Sequence, residues 1–82
     1  MNPVYRKELL TSALDARIRE VTEYQVNIDN FRLAIEVCRK QPDMGDFRKQ
    51  LEELLKSSLS EQRKAQIMLD VIRQQLEAED VG

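Results

Sequence analysis

The chain has 82 residues, enough for one small domain whose core contributes only about 3–5 kcal/mol unless a disulfide, a metal or a partner subunit adds to it. Its single cysteine excludes an internal disulfide, and one thiol without any histidine excludes zinc or iron sites built from clustered ligands. Basic and acidic residues nearly balance at a net charge of −2, so the strong basic patch of a nucleic-acid-binding protein is not expected.

A heptad pattern runs through the first half of the chain. Residues at alternating steps of four and three are apolar with one charged exception, and they are Leu10, Leu14, Arg17, Val21, Tyr24, Ile28, Phe31, Ile35 and Cys38. On a helix this spacing keeps one stripe facing a partner helix. Asn2 can cap the helix start, Pro3 suits its first position, and no Gly or Pro follows until about Lys40. We predict a first helix over about residues 3–40.

The next helix breakers lie in the segment 41–46, Gln-Pro-Asp-Met-Gly-Asp. Pro42 disfavours helical geometry at the residue before it, and Gly45 permits a tight turn. We predict a loop at about 41–46 and a second helix over about 47–78. Residues 79–82 should fray, because acidic residues at a helix C-terminus oppose the helix dipole.

Two helices of this length joined by a short loop pack as antiparallel neighbours. Folding the chain at the loop pairs residues whose numbers add to about 86, and apolar residues then meet at nearly every step. We therefore predict an all-α fold, a coiled-coil-like antiparallel two-helix hairpin that forms a single domain over residues 1–82. The predicted packing seam comprises Leu10, Leu14, Val21, Tyr24, Ile28, Phe31, Ile35, Leu51, Leu54, Leu55, Met68, Ile72 and Leu76.

Further apolar residues lie beside this seam, and a lone hairpin cannot cover them. They widen the stripe toward the pattern of a bundle helix. We predict that the chain dimerises, as a homodimer that forms a four-helix bundle. The alternative is a groove left open for another protein. The candidate oligomer or partner face comprises Tyr5, Leu9, Ile18, Leu33, Val37, Leu59, Ile67 and Val71.

Arg17 interrupts the seam. We expect its alkyl stem to lie across Met68 and Leu69, while the guanidinium reaches water or Asp70. The alternative is that Arg17 sets the register or the choice of partner, as single polar residues do in coiled coils.

A polar, serine-rich stretch at 56–64 forms a waist in the second helix. We expect its small side chains to make room for Tyr24 and Ile28, and the alternative is a weak point where the helix bends or a partner docks. Cys38, near the end of the first helix, is expected to be a small buried hydrophobe.

The residue inventory speaks against catalysis. The sequence has no Gly-rich phosphate loop, no Ser-His-Asp set and no Glu-x-x-His metal motif. We expect a protein that is not an enzyme and has no cofactor or metal. No stretch reaches about 18 consecutive apolar residues, and no apolar stretch typical of a signal peptide follows residue 1. We expect it to be soluble and cytoplasmic, in the host cytoplasm if phage-encoded, without direct membrane insertion.

The opening residues 1–10, MNPVYRKELL, in a short chain without histidine, resemble the antiholin-like lysis-inhibition accessory proteins of T-even bacteriophages. The resemblance spans the chain and rests on its general character, so no functional residue is carried over. It implies a cytoplasmic protein that binds the cytoplasmic part of the phage holin and delays lysis. Residue patterns alone predict the broader class, a protein–protein interaction module that acts by helix packing.

Two alternatives differ in the kind of partner. One is a helical-hairpin regulator that binds RNA, as the plasmid copy-number protein Rop does. That function needs a cationic stripe on one face, whereas the basic residues here are interspersed with acidic ones. The other alternative is a structural subunit of a larger assembly.

Overall fold

The computed structural model describes residues 3–81, which form two long helices packed as a hairpin. Helix α1 spans Pro3–Arg39 and helix α2 spans Gly45–Val81. The molecule measures 61 × 17 × 14 Å, and its radius of gyration is 18.3 Å, against about 12 Å for a compact domain of this length. The predicted all-α hairpin is confirmed. The predicted cap Asn2 and the predicted frayed residue Gly82 lie outside the described residues.

The loop is a tight turn around proline. The N–H of Met44 donates a hydrogen bond to the carbonyl of Gln41 at 3.2 Å. Pro42 occupies the second position of this four-residue turn, where its fixed φ fits. Gly45 was expected to provide the turn, and this is wrong. It is the first residue of α2 and has no positive φ, because the Gln41–Met44 turn has already reversed the chain.

The second helix is longer than predicted at both ends. It starts two residues before the predicted first residue, Phe47, and it continues to Val81. Residues 79–81, for which fraying is predicted, continue the helix in this structure. Arg6 of α1 lies beside them, with its Nε 2.8 Å from Oε1 of Glu79. A cation supplied by the neighbouring helix offsets the acidic charge at the end of α2.

The core is one narrow strip between the two helices. Near the loop, Ile35, Cys38 and Leu51 form a buried cluster, so the predicted burial of Cys38 is confirmed. The buried apolar residues of the described chain are Ile28, Ile35, Cys38, Leu51, Ala65, Leu69 and Ile72. Those contributed by α1 all lie in its last twelve residues, so the half of α1 farther from the loop is less deeply covered.

The predicted seam is correct except at two positions on α2. Leu54 is 50% exposed and Met68 is 45% exposed, so neither belongs to the seam. Their neighbours take these places: Leu55 packs against the loop-end cluster and Leu69 is buried. Successive helical residues point about 100° apart, so the rotation of α2 allows only one of each pair to face α1. The other predicted seam residues are buried or half-buried.

Candidate functional site

The exposed apolar side chains of α2 define one side of the hairpin. Phe47, Leu54 and Met68 are 49%, 50% and 45% exposed. They are seven and fourteen residues apart, so they share one side of the helix. Leu54 and Met68 directly precede Leu55 and Leu69, which places this row immediately beside the core.

The neighbouring side of α1 mixes small and polar residues. At the same sevenfold spacing it carries Arg6, Ala13, Glu20, Asn27 and Ala34. Arg6 Nη2 donates a hydrogen bond to Oε1 of Gln75, which continues the α2 row, at 3.0 Å. At the loop end, Ala34 packs against the buried cluster. We call the surface formed by Phe47, Leu54, Met68, Ala13 and Ala34 the apolar flank.

The opposite side of the seam is bridged by amide groups, and we call it the polar flank. Gln62 Nε2 donates hydrogen bonds to the backbone carbonyl of Val21 at 3.2 Å and to Oε1 of Gln25 at 2.9 Å. These bonds cross between the helices beside a groove of about 390 Å³. The groove is lined by Val21, Gln25, Leu59, Gln62, Arg63, Gln66 and Ile67. The polar groups of Gln25 and Gln62 thus form part of its lining.

A third apolar surface lies on the back of α1. Leu33 and Val37 are 67% and 60% exposed, and Tyr5 and Leu9 are 55% and 48% exposed. Helical spacing places these residues on the side of α1 that faces away from the buried Ile28. We call these four residues the back stripe.

The predicted oligomer or partner face is exposed at all eight positions, but it is not one surface. Tyr5, Leu9, Leu33 and Val37 form the back stripe. Leu59 and Ile67 line the polar-flank groove, and Ile18 is on the α1 side of that flank by its spacing. Val71 is 41% exposed on α2, away from the seam. Sequence reasoning missed the apolar flank, because it assigned Leu54 and Met68 to the core.

Arg17 binds within its own helix. Its Nη1 donates to Oε2 of Glu20 at 2.7 Å, and its side chain is 39% exposed. The expected partners were water or Asp70; the hydrogen bond found is to Glu20, and Asp70 accepts one from Gln66 at 3.0 Å. Glu20 lies three residues after Arg17, within easy reach on the same helix face.

Four basic side chains pair with acids on their own helix. Arg17, Arg39, Arg48 and Lys64 each lie within 4 Å of a glutamate three or four residues away on the same helix. Pairs of this kind partly offset the positive charge of these four residues.

The serine-rich waist leaves α2 unbroken. The helix is continuous through residues 56–64, and Ser58 is half-buried opposite the seam of α1. Small side chains there fit the expectation that they make room for larger residues.

The described residues form neither a metal-binding cluster nor a membrane-spanning helix. Among residues 3–81, no group of three or more acidic, cysteine or histidine side chains is arranged to hold a metal ion. Within the same part of the chain, neither helix has a segment long and apolar enough to cross a membrane.

Comparisons with models of protein families, with curated proteins and with solved structures give no match to this chain. The exposed surfaces described above are therefore the basis for proposing a function.

Proposed function

We propose that this protein is a non-enzymatic regulator that acts by packing its helices against another protein. The observation that carries the proposal is the number of large apolar side chains left exposed on a hairpin only 14–17 Å thick. Contiguous apolar surface on a small protein is typical of an interaction site. Two helices alone have no further layer with which to cover it.

We propose further that the partner is the cytoplasmic part of a phage holin, and that binding delays lysis in the host cytoplasm. This step rests on the resemblance of residues 1–10 and of the chain as a whole to antiholin-like proteins. The back stripe is the proposed contact, because Leu33 and Val37 are among the most exposed large apolar residues of the described chain. Helical grooves and stripes of this kind bind amphipathic helices.

The chain is also proposed to form a homodimer. Among the described residues seven are buried, a small core for an independent domain, and a second subunit is the common way to enlarge it. Two hairpins packed side by side would make a four-helix bundle.

The direct test is retention of the purified cytoplasmic segment of a holin on the immobilised protein, together with lysis timing on co-expression. Retention and delayed lysis are expected for the wild-type chain. The double variant L33K/V37K places two charges on the back stripe and should lose retention. L59K/I67K, which adds the same charge on exposed residues elsewhere, is the matched control and should retain the segment. Failure of the wild-type chain to bind the segment or delay lysis would reject the holin proposal.

A further inference from the structure

The hairpin exposes more surface than a compact chain of its mass. Its accessible surface is 6299 Å², whereas a compact monomer of 9.6 kDa has about 5,100 Å². The excess of roughly 1,200 Å² is larger than the ~800 Å² that each partner buries in an interface of standard size. A second copy of the chain could cover this surface without any other partner.

The apolar flank has the form that helix-bundle packing requires. Its large side chains on α2 extend over 21 residues, or about 30 Å of helix, and the alanines of α1 leave space beside them. The flank is also continuous with the core, because Leu54 and Met68 adjoin the seam residues Leu55 and Leu69. An apolar row added to a heptad seam is the pattern of a helix that packs against more than one neighbour.

The other surfaces fit a second hairpin less well. Gln62 and Gln25 bridge the polar flank with hydrogen bonds, so a helix packed there would have to cover satisfied but polar amides. The back stripe is interrupted at its centre by Arg19 and Glu23, which share its spacing. The apolar flank also carries central charges, Glu20 and Glu61, but each is paired with a base three residues away, Arg17 at 2.7 Å and Lys64 at 3.0 Å.

We infer that the apolar flank is the surface on which a second copy of this chain packs, so that two hairpins form a two-fold symmetric four-helix bundle. Two-fold packing sets the same flank of each copy against the other, and Phe47, Leu54 and Met68 become part of a shared core. The inference rests on the proposed role as an interaction module and names the surface used for self-association. The back stripe of each copy then stays accessible to a different protein.

Sedimentation equilibrium of the full chain tests the inference. The wild-type protein should have the mass of two chains, and L54K/M68K should have the mass of one, 9.6 kDa. L33K/V37K carries the same two charges on the back stripe and should keep the mass of two chains. A wild-type monomer at all concentrations would overturn the inference, as would dissociation of L33K/V37K with L54K/M68K still dimeric.

Cross-linking gives a readout that does not depend on a charged variant being folded. In a Cys38→Ala background, Glu61→Cys and Leu59→Cys place one thiol on either flank near the middle of α2. A short bismaleimide should join two copies of the Glu61→Cys protein and leave the Leu59→Cys protein as single chains. Equal cross-linking of both, or preferential cross-linking through Leu59→Cys, would overturn the inference.

Self-association and holin binding fail separately in these experiments. If L54K/M68K is monomeric but still retains the holin segment, the flank inference and the separation of the two surfaces are both supported. A wild-type monomer that retains the segment overturns the flank inference alone. A dimer that does not retain the segment leaves the flank inference supported and rejects the holin proposal.

Discussion

The two flanks of the hairpin border the same seam but differ in the groups that lie along it. On the polar flank, Gln62 of α2 binds both the carbonyl of Val21 and the amide of Gln25 across the helix boundary. On the apolar flank, Leu54 and Met68 leave about half of their surface in water. The first arrangement satisfies its polar groups within one chain, whereas the second gains further stability only by burying apolar area against something else.

This difference shows that apolar content alone does not locate an interface in a two-helix protein. Leu59 and Leu54 are both exposed leucines on α2, at 40% and 50%. Only Leu54 belongs to a row of large apolar side chains, and the neighbouring row of the other helix includes Ala13 and Ala34. The row, and not the individual leucine, is the feature that a second helix pair can pack against.

The largest effect on stability is expected from a substitution in the seam, which borders both flanks. Ile28 is 1% exposed, so Ile28→Ala should lower the free energy of unfolding by about 2–5 kcal/mol through lost burial and a residual cavity. Urea denaturation followed by circular dichroism, at fixed protein concentration, measures this change. Val26→Ala, at a 53% exposed position two residues away, should change it by less than about 0.5 kcal/mol. Equal effects of the two variants would contradict the assigned rotation of α1.

A smaller effect, on the dimer dissociation constant, should distinguish the two flanks directly. Leu54→Ala should raise the dimer dissociation constant about tenfold, as expected for truncation of a well-buried interface residue. Leu59→Ala removes the same atoms from the polar flank and should leave the constant unchanged. Analytical ultracentrifugation over a range of concentrations gives both constants. If Leu59→Ala raised the dissociation constant more than Leu54→Ala, the polar flank would be the surface of self-association, against our inference.

The polar flank should contribute to the hairpin itself. Gln62→Ala removes two hydrogen bonds between the helices, and we expect the free energy of unfolding to fall by about 1 kcal/mol. The dimer dissociation constant should stay the same. Gln66→Ala is the control, because Gln66 bonds along its own helix to Asp70 and should contribute less than about 0.5 kcal/mol. A Gln62→Ala protein as stable as the wild type would show that these bonds add nothing to the pairing of the helices.

The smallest effect concerns the charge on the apolar flank. Glu61 lies midway between Leu54 and Met68, so two-fold packing with full overlap brings the Glu61 side chains of two copies near each other. Glu61→Gln should therefore tighten the dimer by up to about fivefold at low salt. The gain should shrink as salt is added, because exposed charges are screened. Weaker association of Glu61→Gln would indicate that this carboxylate binds a positive group of the second copy.

Much of the fold follows from the spacing of apolar residues. The seam, the turn at Pro42 and the antiparallel pairing are all predictable, because one register satisfies both halves of the chain. The pairs Leu54–Leu55 and Met68–Leu69 are ambiguous in the sequence, since adjacent apolar residues fit the seam equally well until the rotation of α2 is known. The apolar flank was missed for this reason.

The end of α2 could not be predicted from its own residues. Its acidic C-terminal segment suggests fraying, but the helix continues to Val81, and Arg6, 73 positions earlier in the chain, binds Glu79. The hairpin register does place these two residues near each other, so opposite charges at matching positions were the available signal. The grouping of exposed apolar residues into separate surfaces depends on helix rotation and therefore needs the structure.

The most direct test of the central claim is a nuclear Overhauser measurement on a dimer mixed from two differently isotope-labelled preparations. Filtered spectra detect only contacts between protons of different copies. We predict contacts from the methyl groups of Leu54 and Met68 of one copy to the apolar flank of the other. Intermolecular contacts from Leu33 and Val37, with none from Leu54 and Met68, would contradict the assignment of the apolar flank as the surface that joins two hairpins.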